Sequence, residues 1–192
     1  LITRLGITPI LATLGTMGLF GGLGVIITKG KGIVGFPPQF LVIGTAHPLN
    51  IPLVLYIFLA VALILGLVLN RTMFGFNIYM IGANPLAAKF SGININNVLT
   101  RVYISSGLLA GVAAILMIAR VNSARSGYAA TFLLPAVLVA VLGGVNPNGG
   151  FGNVTGVVLA LALLQILQSG FNILVASSFF KTVIWGAMLL IV

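Results

Sequence analysis

From Leu5 to Thr28, from Leu49 to Asn70 and from Val154 to about Val175, the chain carries no charged side chain. A hydrocarbon core needs roughly 20 apolar residues of helix to cross it, and each of these runs is long enough. Val98–Ala119 makes a fourth, in which Arg101 lies near the helix end and can snorkel to the headgroups. Two runs are shorter: Phe132–Leu142 reads as a half-helix or a tilted short span, and Phe179–Val192 as a run cut by the end of the chain. The expected fold is an all-α membrane protein: a multi-span transmembrane helical bundle of about five to six spans or half-spans, forming one domain over residues 1–192. The chain opens on Leu1 rather than Met and stops inside the apolar run Trp185–Val192, so it reads as the later part of a longer protein.

The charges narrow the function. Sixty per cent of the residues are apolar, the mean hydropathy is +1.26, and there is no Asp or Glu, no Cys and one His. Intramembrane sites usually rely on carboxylates to carry protons, bind sodium or hold a metal. No metal cluster, catalytic carboxylate pair or Ser-His-Asp triad can be assembled from these residues, so neither enzyme activity nor a cofactor is expected. The nine cations are scattered singly and form no stripe of the kind that nucleic acid requires. They flank the spans, where lipid headgroups accommodate them. His47, beside Pro48 at the start of a span, reads as an interfacial residue.

Three connections, Lys29–Pro48, Arg71–Asn97 and Arg120–Thr131, join the spans. With Arg71–Asn97 in the cytoplasm, Arg71, Lys89 and Arg101 lie on that side and Lys29, Lys31, Arg120 and Arg125 on the other, so the positive-inside rule hardly separates the two faces. Small residues at four-residue spacing, Gly18 and Gly22, Gly107 and Gly111, and Gly152, Gly156 and Ala160, mark helix surfaces that neighbours can approach closely.

Three features stand out from this architecture. Asn84 is a good helix N-cap, Pro85 suits the first turn and Gly92 suits the stop, which predicts a short helix over Pro85–Ser91. It displays Leu86, Ala87, Ala88 and Phe90 beside a single Lys89, too apolar for a solvated loop and too short to span, so it either docks on a protein surface or lies in the lipid interface. On the run from Val154, Gln165, Gln168, Ser169 and Asn172 fall on one helical face, which turns to a partner helix or to a wet path for an uncharged, hydroxyl-rich solute. Gly143, Gly144, Asn146, Pro147, Gly149 and Gly150 belong to GGVNPNGGFG, a tight non-helical reversal between two apolar runs. The spacings of phosphate-binding glycine loops are absent from it.

The blocks GANPLAAKFSGIN (82–94), VYISSGLLAGVAA (102–114) and AVLGGVNPNGGFG (140–152), with TPILATLGTMGLFGG (8–22) before them, run in one order along nearly the whole chain. Together they resemble the permease subunit of bacterial ABC importers of the ribose and simple-sugar type. The resemblance implies a multi-pass subunit of the inner membrane that passes a monosaccharide or a similar small neutral solute, with N-terminal spans and a C-terminal end beyond this chain. It also implies three partners: a cytoplasmic ABC ATPase that hydrolyses the ATP, a second permease subunit and an extracytoplasmic solute-binding protein. Gly82, Asn84, Ala87, Ala88, Ser91 and Gly92 match the family's ATPase-docking loop, and Pro85 and Lys89 lie within it. The chain departs from the family pattern in having no acidic residue, including in the Gly127–Thr131 connection. A branched-chain amino acid permease, a passive channel for a neutral solute and a membrane scaffold are the competing readings. ATPase dependence separates the importer from the channel, and replacing Gln165, Gln168 and Asn172 by Leu separates either from a scaffold.

Overall fold

The computed structural model describes residues 7–174 and 177–191; the first residues of the Leu5–Thr28 run, Val175 and Val192 lie outside them. Among the described residues, four helices are long and apolar enough to cross a membrane. They are α1 (Pro9–Thr28), α3 (Leu53–Arg71), α6 (Ile95–Val121) and α8 (Val154–Ile173). At about 1.5 Å of rise per residue, the 20 residues of α1 and of α8 each cover the roughly 30 Å of a hydrocarbon core. Between and after them come α2 (Pro38–Thr45), α4 (Met73–Ala83), α5 (Pro85–Phe90), α7 (Leu133–Leu142) and α9 (Ser178–Ile191), with single 3₁₀ turns at Pro48–Asn50 and Tyr128–Phe132.

The chain divides into two compact units, and the division falls inside α3 after Val61. The first holds α1, α2, the start of α3 and Asn94–Tyr128, which includes α6. Here α2 lies on the end of α6 so closely that a Cβ on Gly44 would stand 2.5 Å from the Arg120 amide nitrogen. Two-residue strands β1 (Ile33–Val34) and β2 (Ser123–Ala124) pair antiparallel, Ile33 with Ala124 and Val34 with Ser123. Between them Asn122, left-handed at φ 53°, ends α6 and accepts the Phe36 amide on its Oδ1 at 3.0 Å. Ser126 Oγ donates to the Gly21 carbonyl of α1 at 3.0 Å, fixing the chain after β2 to that helix.

In the second unit, Ala62–Ile93 joins the residues from Ala129 onward. Its buried centre is Leu138 of α7, Leu164 of α8 and Trp185 of α9, with Val139, Phe171, Met188 and Leu189 packed around them. Phe171 meets Trp185 edge to face at 6.1 Å, the arrangement that aromatic quadrupoles favour.

Two of the predicted connections contain helices of their own. Within Lys29–Pro48 sits α2, and within Arg71–Asn97 sits α4, capped by Thr72 Oγ1, which accepts the Gly75 amide. The second span starts at Leu53 rather than Leu49, because Pro48–Asn50 forms a 3₁₀ turn, and the span expected over Val98–Ala119 is extended at both ends by its Asn94 and Asn122 caps. Most large apolar side chains on the long helices are exposed, as befits surfaces made for lipid or for other subunits rather than for water.

Candidate docking and translocation elements

Helix α5 is built by its caps. Asn84 Oδ1 accepts the amides of Leu86 and Ala87 at 3.0 and 3.1 Å, satisfying two of the donors that a helix start leaves free. Pro85 occupies the first turn, where its missing N–H costs nothing. At the other end the Ile93 amide reaches back to the Ala88 carbonyl and the Gly92 amide to the Lys89 carbonyl, a Schellman closure that requires the left-handed φ of 79° at Gly92. Ser91 Oγ adds a bond to the Ala87 carbonyl. Ser91 is therefore the C-cap, and the helix ends one residue earlier than the expected Pro85–Ser91. Ala88 is fully buried and anchors the helix, whereas Leu86 is 69% and Phe90 90% exposed, with Lys89 exposed between them. Side chains of that size held outward on a capped turn form an apolar knob.

The knob stands on α4 through one residue. Asn84 closes α4, its amide bonding the Met80 carbonyl, and opens α5, its carbonyl accepting the Ala88 amide. Just before it, Gly82 and Ala83 rest on the reversal that follows α7: a Cβ on Gly82 would stand 2.3 Å from the Gly150 nitrogen, and one on Gly150 would stand 2.9 Å from the Ala83 Cα. Tyr79, half-buried one helical turn earlier, donates its hydroxyl to the Gly152 carbonyl at 3.0 Å. The predicted docking loop and the predicted turn thus meet, although 67 residues lie between Gly82 and Gly150 in the chain.

The reversal itself is closed by its own hydrogen bonds. Another Schellman closure ends α7, with Val145 bonding to Ala140 and Gly144 to Val141. Asn146 then receives the Asn148 amide on its side chain and the Gly149 amide on its carbonyl, while its own amide reaches the Phe151 carbonyl. Asn153 Oδ1 accepts the Thr155 amide and hydroxyl and opens α8. The first turn of α8 is pressed onto Gly143, since a Cβ on Gly156 would lie 2.2 Å from the Gly143 carbonyl oxygen.

Further along, α8 has three flanks, set by roughly 100° of rotation per residue. Ala160, Leu164 and Phe171 face the core of the unit. Leu159, Leu163, Ile166 and Ile173 form an exposed apolar flank suited to lipid. Gln165, Gln168, Ser169 and Asn172 occupy the third flank and are all exposed. Hydrocarbon would strand these amides, so this flank belongs against water or another polar surface. Lys181 of α9 donates from Nζ to Asn172 Oδ1, placing a cation at one end of the polar row.

Neither Tyr79 nor Lys181 was singled out by the sequence reading. Tyr79 offered the faint signal of a lone hydroxyl in an apolar stretch, and Lys181 that of a cation inside one.

Over residues 1–192 the chain matches the family described as "Branched-chain amino acid transport system / permease component", and it belongs to that family. It is similar to the autoinducer 2 import system permease protein LsrD of Salmonella typhimurium (37% identical) and of Escherichia coli O9:H4 (36%). The protein of that name from Yersinia enterocolitica is 35% identical. In each case the alignment covers all of this chain and 60% of the relative, so the chain spans about three-fifths of the length of these proteins. No solved structure matches. The resemblance to importer permeases expected from the three sequence blocks is thereby met, and four helices able to span a membrane make this a multi-pass membrane protein of the inner-membrane permease kind.

Proposed function

We propose that this chain is the translocating part of an ATP-driven importer subunit that passes a monosaccharide or a similarly small, neutral, hydroxyl-rich solute. The observation that carries the reading is the capped, outward-facing knob of α5: a helix of six residues that no length argument allows to span, yet with Phe90 held almost wholly exposed. Such a surface gains by fitting a cleft in another protein, where burying a Phe and a Leu side chain contributes roughly 1.5 to 3 kcal/mol each. The occupant we assign is the ATPase, which supplies energy that these 192 residues have neither carboxylates to draw from an ion gradient nor a nucleotide loop to draw from ATP. The loop residues Gly82, Asn84, Pro85, Ala87, Ala88, Lys89, Ser91 and Gly92 then build the docking element. A second permease subunit and a solute-binding protein complete the assembly.

Gln165, Gln168, Ser169 and Asn172 line the solute path in this reading. Neutral amides and a hydroxyl match ring hydroxyls, and the relatives are named for import of autoinducer 2. The family description names branched-chain amino acids, whose ammonium group would find no carboxylate within this chain.

The test uses the full-length native protein with Leu86 and Phe90 changed to Ser, purified gently and analysed for a co-purifying ATPase by mass spectrometry. The wild type brings the ATPase down and the double variant loses most of it while keeping its helical content. A wild-type protein that carries no ATPase and still conducts solute when reconstituted alone overturns the reading in favour of a channel.

A further inference from the structure

The docking knob and the polar flank of α8 lie at opposite ends of a continuous set of close contacts, all inside one compact unit. From α5 the chain passes through the single residue Asn84 into α4, whose last turn is seated on Gly149 and Gly150 and tied by Tyr79 to Gly152. Two residues after Gly152 begins α8, with Gly156 pressed on Gly143. At its other end α4 is held as tightly, since a Cβ on Gly75 would overlap the Leu69 carbonyl of α3 at 2.1 Å. Glycine at each contact brings backbone against backbone, with no flexible side chain between to absorb a displacement, and packed backbones shift between discrete arrangements rather than deform.

Resting on the docking role proposed above for α5, we infer that the seat of Gly82 on Gly150, latched by the Tyr79 hydroxyl on the Gly152 carbonyl, is the joint that carries movement of the docking helix into α8 and its polar flank. Tyr79 is a positioning residue in this account and touches no solute. Its bond fixes α4 to the reversal from the side, so that α4 and the start of α8 move as one body. Gly150 must stay a glycine on two counts: its φ is 84°, and a Cβ there would strike Ala83.

The experiment takes the full-length permease assembled with its ATPase and binding protein in liposomes, and compares wild type with Tyr79→Phe and Gly150→Ala. Three quantities are read: ATPase co-purification, ATP hydrolysed, and labelled solute taken up. Tyr79→Phe removes one hydroxyl and keeps the ring. It is expected to leave co-purification and basal hydrolysis at wild-type levels while the ATP spent per solute imported rises roughly fivefold, the scale of one lost hydrogen bond between coupled parts. Gly150→Ala should raise that ratio further. An unchanged ratio in Tyr79→Phe overturns the joint, and so does loss of the ATPase from that variant, which would make the contact part of folding or docking rather than of transmission. Failure of the docking reading shows separately, as a wild-type protein without an ATPase or with uptake indifferent to ATP.

Discussion

The two units use glycine in opposite ways. In the second, Gly143, Gly156 and Gly82 each lie where an added Cβ would overlap backbone within 2.2 to 2.6 Å, so glycine sets how closely α7, α8, α4 and the reversal come together. In the first, Gly18 and Gly22 of α1 and Gly107 and Gly111 of α6 have no atom of the described residues within 4 Å of an added Cβ. Among the described residues that unit is held instead by polar bonds between segments far apart in the chain, the Asn122 cap on Phe36, Ser126 on Gly21 and the short strand pair, with Gly44 on α6 as an interlock of the other kind. A four-residue glycine spacing therefore permits close approach without saying whether the chain itself makes use of it.

The contrast is broken most directly at Gly156. A Cβ 2.2 Å from a carbonyl oxygen can be admitted only by parting α8 from α7, and overpacking of that kind costs about 3 kcal/mol. Gly156→Ala in the purified full-length protein is expected to lower the thermal unfolding midpoint in detergent by several degrees. An unmoved midpoint would mean that the second unit tolerates side chains where its backbones touch, and the distinction between the units would lapse.

A smaller effect is expected at Asn122, where the first unit depends on a cap rather than on glycine packing. Asn122→Ala loses the bond to the Phe36 amide and puts alanine at a left-handed φ of 53°, together about 2 kcal/mol. Asn122→Gly relieves the backbone and loses only the bond, so it should recover roughly half of the loss. If Gly and Ala at this position melt alike, the Phe36 bond carries the whole effect and the backbone geometry none.

How much of this was legible follows from the range of each signal. Helical period is local, so the long spans, the one-sided row Gln165, Gln168, Ser169 and Asn172, and the Asn84, Pro85 and Gly92 caps could all be read from neighbouring residues. Helices α2 and α4 leave little sign in the sequence because each is shorter than a span and follows the charged residues that open a connection, Lys29 and Lys31 for one and Arg71 for the other, although Pro37-Pro38 and Thr72 are ordinary start signals. The seat of Gly82 on Gly150 and the bond from Tyr79 to Gly152 had no local trace, since nothing in either segment specifies a partner some 70 residues away. Likewise the spacing of Gly18 and Gly22 looks the same as that of Gly152 and Gly156, and only the tertiary structure separates them.

That separation gives the smallest effect and the sharpest control. At Gly107 and Gly111 of α6, an added methyl group meets open space among the described residues and sits in a regular helix, where alanine is at least as well suited as glycine. Gly107→Ala and Gly111→Ala should each leave the unfolding midpoint of the purified subunit at or slightly above the wild-type value, by no more than the roughly 1 kcal/mol of helix propensity, against the several degrees lost at Gly156. The same substitutions in the assembled transporter ask a different question. A midpoint unchanged in the subunit but lowered in the assembly would place a neighbouring helix from elsewhere on this face, so that both units rely on glycine-mediated contact and differ only in where the partner comes from. Unchanged midpoints in both would leave α6 turned to lipid along Gly107 and Gly111, because lipid chains fill the space beside a glycine or an alanine equally well.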